Sequence, residues 1–329
     1  MVTVGVTGAS GFIGGALVPF LAARGYDLRL VDNRSGPIEV VYRDTPVERL
    51  DFESARGLAL LSDCDVVLHL AAVSGVMACA RDPLGTGRTN VSGTATLVST
   101  CRERRIPVAF ASSLAVVGAP KQFPVQETTP AHPTHEYARQ KAAGEDLVRA
   151  LGREGSVATA VARQSNVYGG YRADGHVVSK GNVIQLFAQQ AFTGRLSVNA
   201  PGTQRRDFVH IEDVVAHWEA ITRFLLRTDA TPGSTTFHVA SGESLSIIEV
   251  AERVGLAFRQ LRPDTSPLRV EVVPNPRGGI ELIEPDFTVS RVETERLIGL
   301  RCRYAVDSAL PAILRDVESS LPDRKGLGR

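Results

Sequence analysis

Cysteine is scarce in this 329-residue chain. Its four residues, at 64, 79, 101 and 302, are too few and too scattered for a disulfide framework, and none forms a CxxC pair of the kind that clips zinc. A reducing cytoplasm is the expected compartment. Excess charge is missing too: 37 Lys and Arg stand against 36 Asp and Glu, a net charge of +1, so no global field recruits nucleic acid or an anionic membrane. No apolar run approaches the roughly 18 residues a membrane span requires. The opening residues MVTVGVTG read as a strand entering a turn, not as the basic and apolar regions of a leader. Lysine is also rare, with residues only at 121, 141, 180 and 325. That bias toward arginine reads as genomic composition, and it makes each lysine worth examining.

What is present is ordinary globular material, 43% hydrophobic and 22% charged, in a length that suits two domains or one large α/β unit with an attachment. Short β-branched runs near 2–7, 27–32, 65–71, 107–113 and 156–163 alternate with helical patterns starting near Phe12, Pro83 and Glu136. This is the signature of βαβ units closing into a doubly wound parallel sheet. After Ser165, Gly, Asn and Pro-rich turns predict a second, smaller unit of loops and short elements. The run TTFHVAS at 235–241 reads as a strand returning to the main sheet, so the two units interleave. The expected division is a dinucleotide domain over 1–165 with a return segment near 207–258, a substrate portion over 166–206 and 259–317, and a frayed tail over 318–329.

The first strand runs into VTGASGFIGGAL, with Gly8, Gly11 and Gly14 at the strand–helix junction. A Cβ there would block the tight turn and keep the backbone from a pyrophosphate, whose charge sits on the helix N-terminus. Asp32 ends the next strand, 18 residues after Gly14, where a carboxylate can accept both ribose hydroxyls and would repel a 2′-phosphate. NAD is favoured over NADP, with Arg34 nearby as the opposing signal. Asp51 and Phe52 read equally as flanks of the adenine or as a surface carboxylate and a core aromatic.

Tyr137 and Lys141 form YARQK on a predicted helix, four residues apart and therefore on one face. With six Tyr and four Lys in the chain, roughly 0.07 such pairs are expected by chance. A phenol is a poor base at neutral pH, but an ammonium about 5 Å away at an effective dielectric of about 20 contributes roughly 3 kcal/mol, about two pKa units. On that reading Tyr137 takes a substrate hydroxyl proton while hydride leaves the same carbon for the cofactor. A serine at the end of the PVAFASS strand would hold that hydroxyl; Ser112 and Ser113 both qualify. His69 and His210 read as packed in strands, and His132 and His135 as loop residues before the active-site helix. No cluster has metal-ligand spacing.

In this order, GASGFIG, DVVLHLAA, NVSGT, SSLAVVG, YARQK, ARQSNVYGG, RRDFVHIEDV and HVASGESLS resemble the extended short-chain dehydrogenase/reductase family, in particular its NAD-dependent nucleotide-sugar epimerase/dehydratase branch, over roughly residues 1–312. The resemblance implies a Rossmann-type sheet with a smaller, interleaved α/β substrate domain. It makes Ser113, Tyr137 and Lys141 the catalytic trio. It places NAD against Gly8, Gly11, Phe12, Ile13, Gly14, Asp32, Asn33, Asp51, Phe52, Leu70, Ala71, Ala72 and Asn90, with Lys141 also on the nicotinamide ribose and Asn90 supporting the active-site helix. It assigns Asn166, Asn182, Arg206 and Arg277 to a nucleotide-diphosphate sugar; an arginine's planar fork suits phosphate. It implies a homodimer packed through the helices near 84–104 and 135–151.

One departure is Val117, where the family pattern usually has Tyr. A second narrows the reaction: dehydratases of the family carry an acidic pair directly after the catalytic serine, and decarboxylases usually a Glu in this segment, whereas here Leu114 and Ala115 follow Ser113. Neither transfers a proton. The expectation is therefore a 4-epimerase acting through a transient 4-ketose, with an NAD(P)H-dependent 4-keto-sugar reductase as the alternative and a non-catalytic NAD sensor as the reading from another class.

Overall fold

The computed structural model describes residues 1–33, 47–154, 157–173, 175–227, 231–275 and 286–321. Its centre is a seven-stranded, wholly parallel sheet. Across the sheet the strands run Gly233–Val239, Ala158–Gln164, Val108–Ser113, Val66–His69, Thr3–Thr7, Asp27–Asp32 and Val47–Arg49. Both faces are covered, so the central strands are continuously apolar instead of alternating: Val66, Val67 and Leu68 are all fully buried. Helices Phe12–Ala22 and Ile211–Leu225 cover one face through Leu17, Leu21, Trp218 and Ile221. Helices Ala55–Leu61, Thr94–Arg104 and Glu136–Arg153 cover the other through Leu61, Leu97, Cys101, Val148 and Leu151.

The expected strands and the helices starting at Phe12, Pro83 and Glu136 are all present. TTFHVAS lies within or just beyond Gly233–Val239, which pairs along Ala158–Gln164 at the sheet edge and makes the fold interleaved. Chain progression reverses between Thr3–Thr7 and Val66–His69, which are hydrogen-bonded neighbours. That switch point opens a crevice at the carboxyl ends of the strands, where α/β sheets bind ligands.

The portion after Ser165 differs from the expectation of loops and short elements. It has its own core, built by helices Val183–Ala191, Ile247–Leu261 and Val306–Ser320 around Phe187, Val254, Phe258, Leu310 and Leu314. In Ile247–Leu261 the buried set Val250, Ala251, Val254 and Phe258 recurs at helical spacing, and Ser246 with Glu249 forms a full capping box. The turn-rich segments between these helices hid that periodicity. The last helix runs past 318, where the tail was expected to begin, because Val317 is held in this second core. Residues 322–329 lie outside the described residues.

Candidate active site

The glycine loop is shaped by close backbone approach. Gly8 has φ +73°, and a Cβ on it would lie 2.7 Å from the Ala71 nitrogen across the switch point. A Cβ on Gly14 would collide with the Gly8 carbonyl. The first closing bond of helix Phe12–Ala22 is Gly15 N–H to the Gly11 carbonyl at 2.7 Å. The N–H groups of Phe12, Ile13 and Gly14 precede it, so the first turn presents donors and positive dipole to the crevice. Asp32 ends its strand beside this turn and accepts Ser10 N–H at 2.9 Å. A backbone that no Cβ can enter, facing a carboxylate across one turn, fits a dinucleotide.

Asn33 and Asp51 are brought together, the amide donating at 2.6 Å, and both are exposed. Phe52 instead packs into the core against His69, ring centroids 4.9 Å apart. Leu70 and Ala71 are tied to the first strand by Leu70 N–H to the Thr7 carbonyl and Ala71 N–H to Thr7 Oγ1, both 3.2 Å. Leu70, Ala71 and Ala72 are half-buried at the crevice floor. Arg34, the opposing signal on cofactor choice, lies outside the described residues.

Asn90 sits in a π-helical turn, Arg88–Gly93, inside the helical stretch that starts at Pro83. Such turns are rare and frequent at functional sites. Its carbonyl accepts Val73 N–H at 2.8 Å, and its amide donates to the Val73 carbonyl at 2.9 Å and to Gln140 Oε1 at 2.7 Å. Gln140 in turn donates to Thr86 and Glu136. One buried network thus fixes the strand-end loop and the helix carrying Tyr137 and Lys141.

Ser112 and Ser113 separate cleanly. Ser112 points into the interior and donates to Glu145 at 2.6 Å, whereas Ser113 is half-buried on the crevice side, accepts Ala115 N–H at 3.2 Å and lies near enough to Tyr137 to lower the phenol pKa. Ser113, Tyr137 and Lys141 are therefore gathered at the carboxyl end of strand Val108–Ser113, next to Val66–His69 and one strand away from the switch point. Lys141 donates from Nζ to the Ala111 carbonyl at 2.7 Å and lies 4.9 Å from the Phe110 ring centre. Burial lowers its pKa to about 8, against the fields of Cys79 and Glu145.

The phenol of Tyr137 behaves otherwise than the lysine argument expects. Burial pushes its pKa up to about 12; the hydrogen bond with Ser113 opposes that and the Cys79 thiol adds to it. Desolvation is the largest influence, and the Lys141 amine, aimed at the Ala111 carbonyl, is not among the groups that shift the phenol.

Buried neighbours of these side chains were not found from sequence. Glu145, fully buried, takes both arms of Arg163 at 3.0 and 2.9 Å, the Ser112 hydroxyl, and Arg149 at 2.8 Å. Its position four residues after Lys141 was the available signal; the Arg163 partner on a strand was not legible. Cys79, fully buried, lies where its thiol influences both Tyr137 and Lys141.

On the substrate side, Asn166 donates to the Asp207 carbonyl at 3.0 Å, and Asn182 caps helix Val183–Ala191 while its amide donates to the Val167 carbonyl at 3.1 Å. Arg206 is half-buried on strand Arg205–His210, whose Phe208 registers with Asn166. These three are thus assembled on one small sheet and its neighbouring helix. Asp207 anchors that sheet by accepting Ser241 N–H, the Ser241 hydroxyl and Gly242 N–H at 2.9, 3.1 and 2.6 Å. Arg277 lies outside the described residues.

Fold and site together define a Rossmann-type protein of the tyrosine–lysine short-chain class. Residues 4–240 match the model of the "NAD dependent epimerase/dehydratase family". The chain is 30% identical over 256 residues to a UDP-glucose 4-epimerase of Mycolicibacterium smegmatis, covering 74% of this chain and 79% of that one. It is 28% identical over 316 residues to a UDP-glucose 4-epimerase of Halalkalibacterium halodurans, covering 91% and 90%. Among solved structures, the Thermus thermophilus UDP-glucose 4-epimerase complex with NAD superposes with a TM-score of 0.77 at 25% identity, covering 97% of this chain and all of that one. An NAD-dependent NDP-hexosamine 5,6-dehydratase superposes with a TM-score of 0.78 at 26% identity, covering 97% and 98%. The chain belongs to the NAD dependent epimerase/dehydratase family, and its cofactor is NAD.

Proposed function

We propose that the protein is a nucleotide-sugar 4-epimerase. The observation that carries this reading is the meeting of Ser113, Tyr137 and Lys141 at the switch-point crevice with Ala115, half-exposed, where a dehydratase would need an acid. Ser113 holds the sugar hydroxyl and Tyr137 takes its proton; after the 4-ketose turns over in the cleft, Tyr137 returns the proton to the opposite configuration. NAD, when bound, supplies hydride acceptance and return and a positive ring beside the phenol. Lys141 adds its ammonium, kept charged at neutral pH by a pKa near 8. By the family resemblance, Asn166, Asn182, Arg206 and Arg277 contact the sugar or its diphosphate.

An epimerase regenerates its own cofactor, so the test needs no added nicotinamide. Purified protein mixed with UDP-glucose or UDP-galactose should interconvert their anomeric signals by NMR. Failure with UDP-, dTDP- and GDP-hexoses, together with NAD(P)H-driven reduction of a 4-keto sugar, would move the assignment to a reductase. The working protein is a homodimer of the reducing cytoplasm. Its subunits pack through the helices near 84–104 and 135–151, where the exposed Ser92, Thr96 and Ser99 and the half-buried Ala143 and Ala150 recur at helical spacing, with Leu147 at the margin of the core beside them.

A further inference from the structure

His135 was expected to be a plain loop residue, and the reaction outlined above does not use it. It closes the start of helix Glu136–Arg153: Nδ1 accepts Ala138 N–H at 3.2 Å. Its ring lies parallel to that of Tyr137, with an interplanar angle of 6° and centroids 6.2 Å apart. Because Nδ1 is the acceptor, the proton of the neutral imidazole is assigned to Nε2. A second proton has only Nδ1 to go to. There it displaces the Ala138 N–H and sets positive charge on the positive end of an 18-residue helix. Tyr137 is the second residue of the turn that would be uncapped.

We propose that His135 is a positioning residue for Tyr137, and that its protonation uncaps this turn and withdraws the phenol from Ser113 and Lys141. The inference rests on the reading of Tyr137 as the base. Burial lowers the histidine pKa, and the Arg139 guanidinium on the next turn lowers it further. The neighbouring carboxylate, Glu136, is engaged by Gln140 at 3.1 Å and Arg139 at 3.6 Å. The sign follows: the folded pKa lies below the usual value of about 6.5, so the cap is intact above that value and lost as pH falls through the folded pKa.

Two measurements test this. In the full-length 15N-labelled protein the Ala138 amide should shift through the same midpoint as the His135 ring; an Ala138 amide that stays still overturns the proposal whether or not any sugar is turned over. In turnover assays, His135→Ala, which has no acceptor, should lose about fivefold in kcat at neutral pH, the size of a lost cap, with a smaller change in KM. His135→Ser keeps an acceptor that does not titrate. It should rescue most of that loss and abolish the acid limb of the kcat profile. An unchanged acid limb in His135→Ser, or wild-type kcat in His135→Ala, sinks the idea. If no nucleotide sugar reacts with any variant, the epimerase reading fails while the amide titration still decides the capping.

Discussion

At the scale of single residues, the site sets stability against chemistry. Tyr137→Phe keeps the packing but removes the proton carrier, so turnover should fall by at least about 10²-fold while NAD still binds, measured by the dinucleotide released on denaturation. Lys141 gives a less obvious prediction. Its ammonium is held in a buried site with a pKa near 8, well below the ordinary lysine value. The charged form is therefore disfavoured by folding, to the extent of about 3 kcal/mol below pH 8, and the penalty fades as pH rises toward about 10.4. Lys141→Met removes it but also deletes the charged hydrogen bond to the Ala111 carbonyl, which costs about 1–3 kcal/mol. The variant should be inactive, and any thermal stability it gains over the wild type should be larger at pH 7 than at pH 9.5. A stability difference that grows with pH would contradict the assignment of a buried cation.

At the scale of elements, helix Glu136–Arg153 is bolted to the sheet by the Glu145–Arg163 pair, with Glu145 fully buried and Arg163 2% exposed. Removing one charge strands the other. Glu145→Gln should lower unfolding stability by about 3–5 kcal/mol in urea titrations, and Ser112→Ala, which deletes one bond of the same cluster, by about 1–2 kcal/mol. This pair also marks the limit of what the sequence discloses. Strands such as Val66–His69 were legible because burial on both faces makes them unbroken apolar runs, and Tyr137 with Lys141 because helix geometry converts four residues of spacing into one face. The glycine loop was legible because backbone approach admits no other residue at Gly8 and Gly14. Arg163 sits on a strand that reads as purely structural, and only the packing of that strand under the helix makes it a partner of Glu145. The helices after Ser165 were obscured because glycine and proline turns dominate any window that spans them. Tyr137 itself shows that spacing gives proximity but not the balance of forces, since desolvation by the folded pocket reverses the shift an isolated ion pair would produce.

At the scale of the whole molecule, the helix that carries the proposed base also carries the face proposed for the subunit interface. Tyr137, Lys141 and Glu145 point inward one turn apart, while Ala143, Leu147 and Ala150 occupy the other side, half-buried. On the proposed reading, the small residues Ala143 and Ala150, with the exposed Ser92, Thr96 and Ser99 of the adjoining helical stretch, would let a second copy approach closely enough to build four packed helices. Association would then brace the catalytic helix from behind without contributing to the cleft. Sedimentation equilibrium should give twice the chain mass for the wild type. Leu147→Arg, which drives a charge into that seam, should give the single-chain mass with the dinucleotide still bound and thermal stability reduced. A wild type that sediments as one chain would refute the dimer, a Leu147→Arg variant that still pairs would place the interface elsewhere, and either result would leave the Glu145 cluster as the brace holding Tyr137 in position.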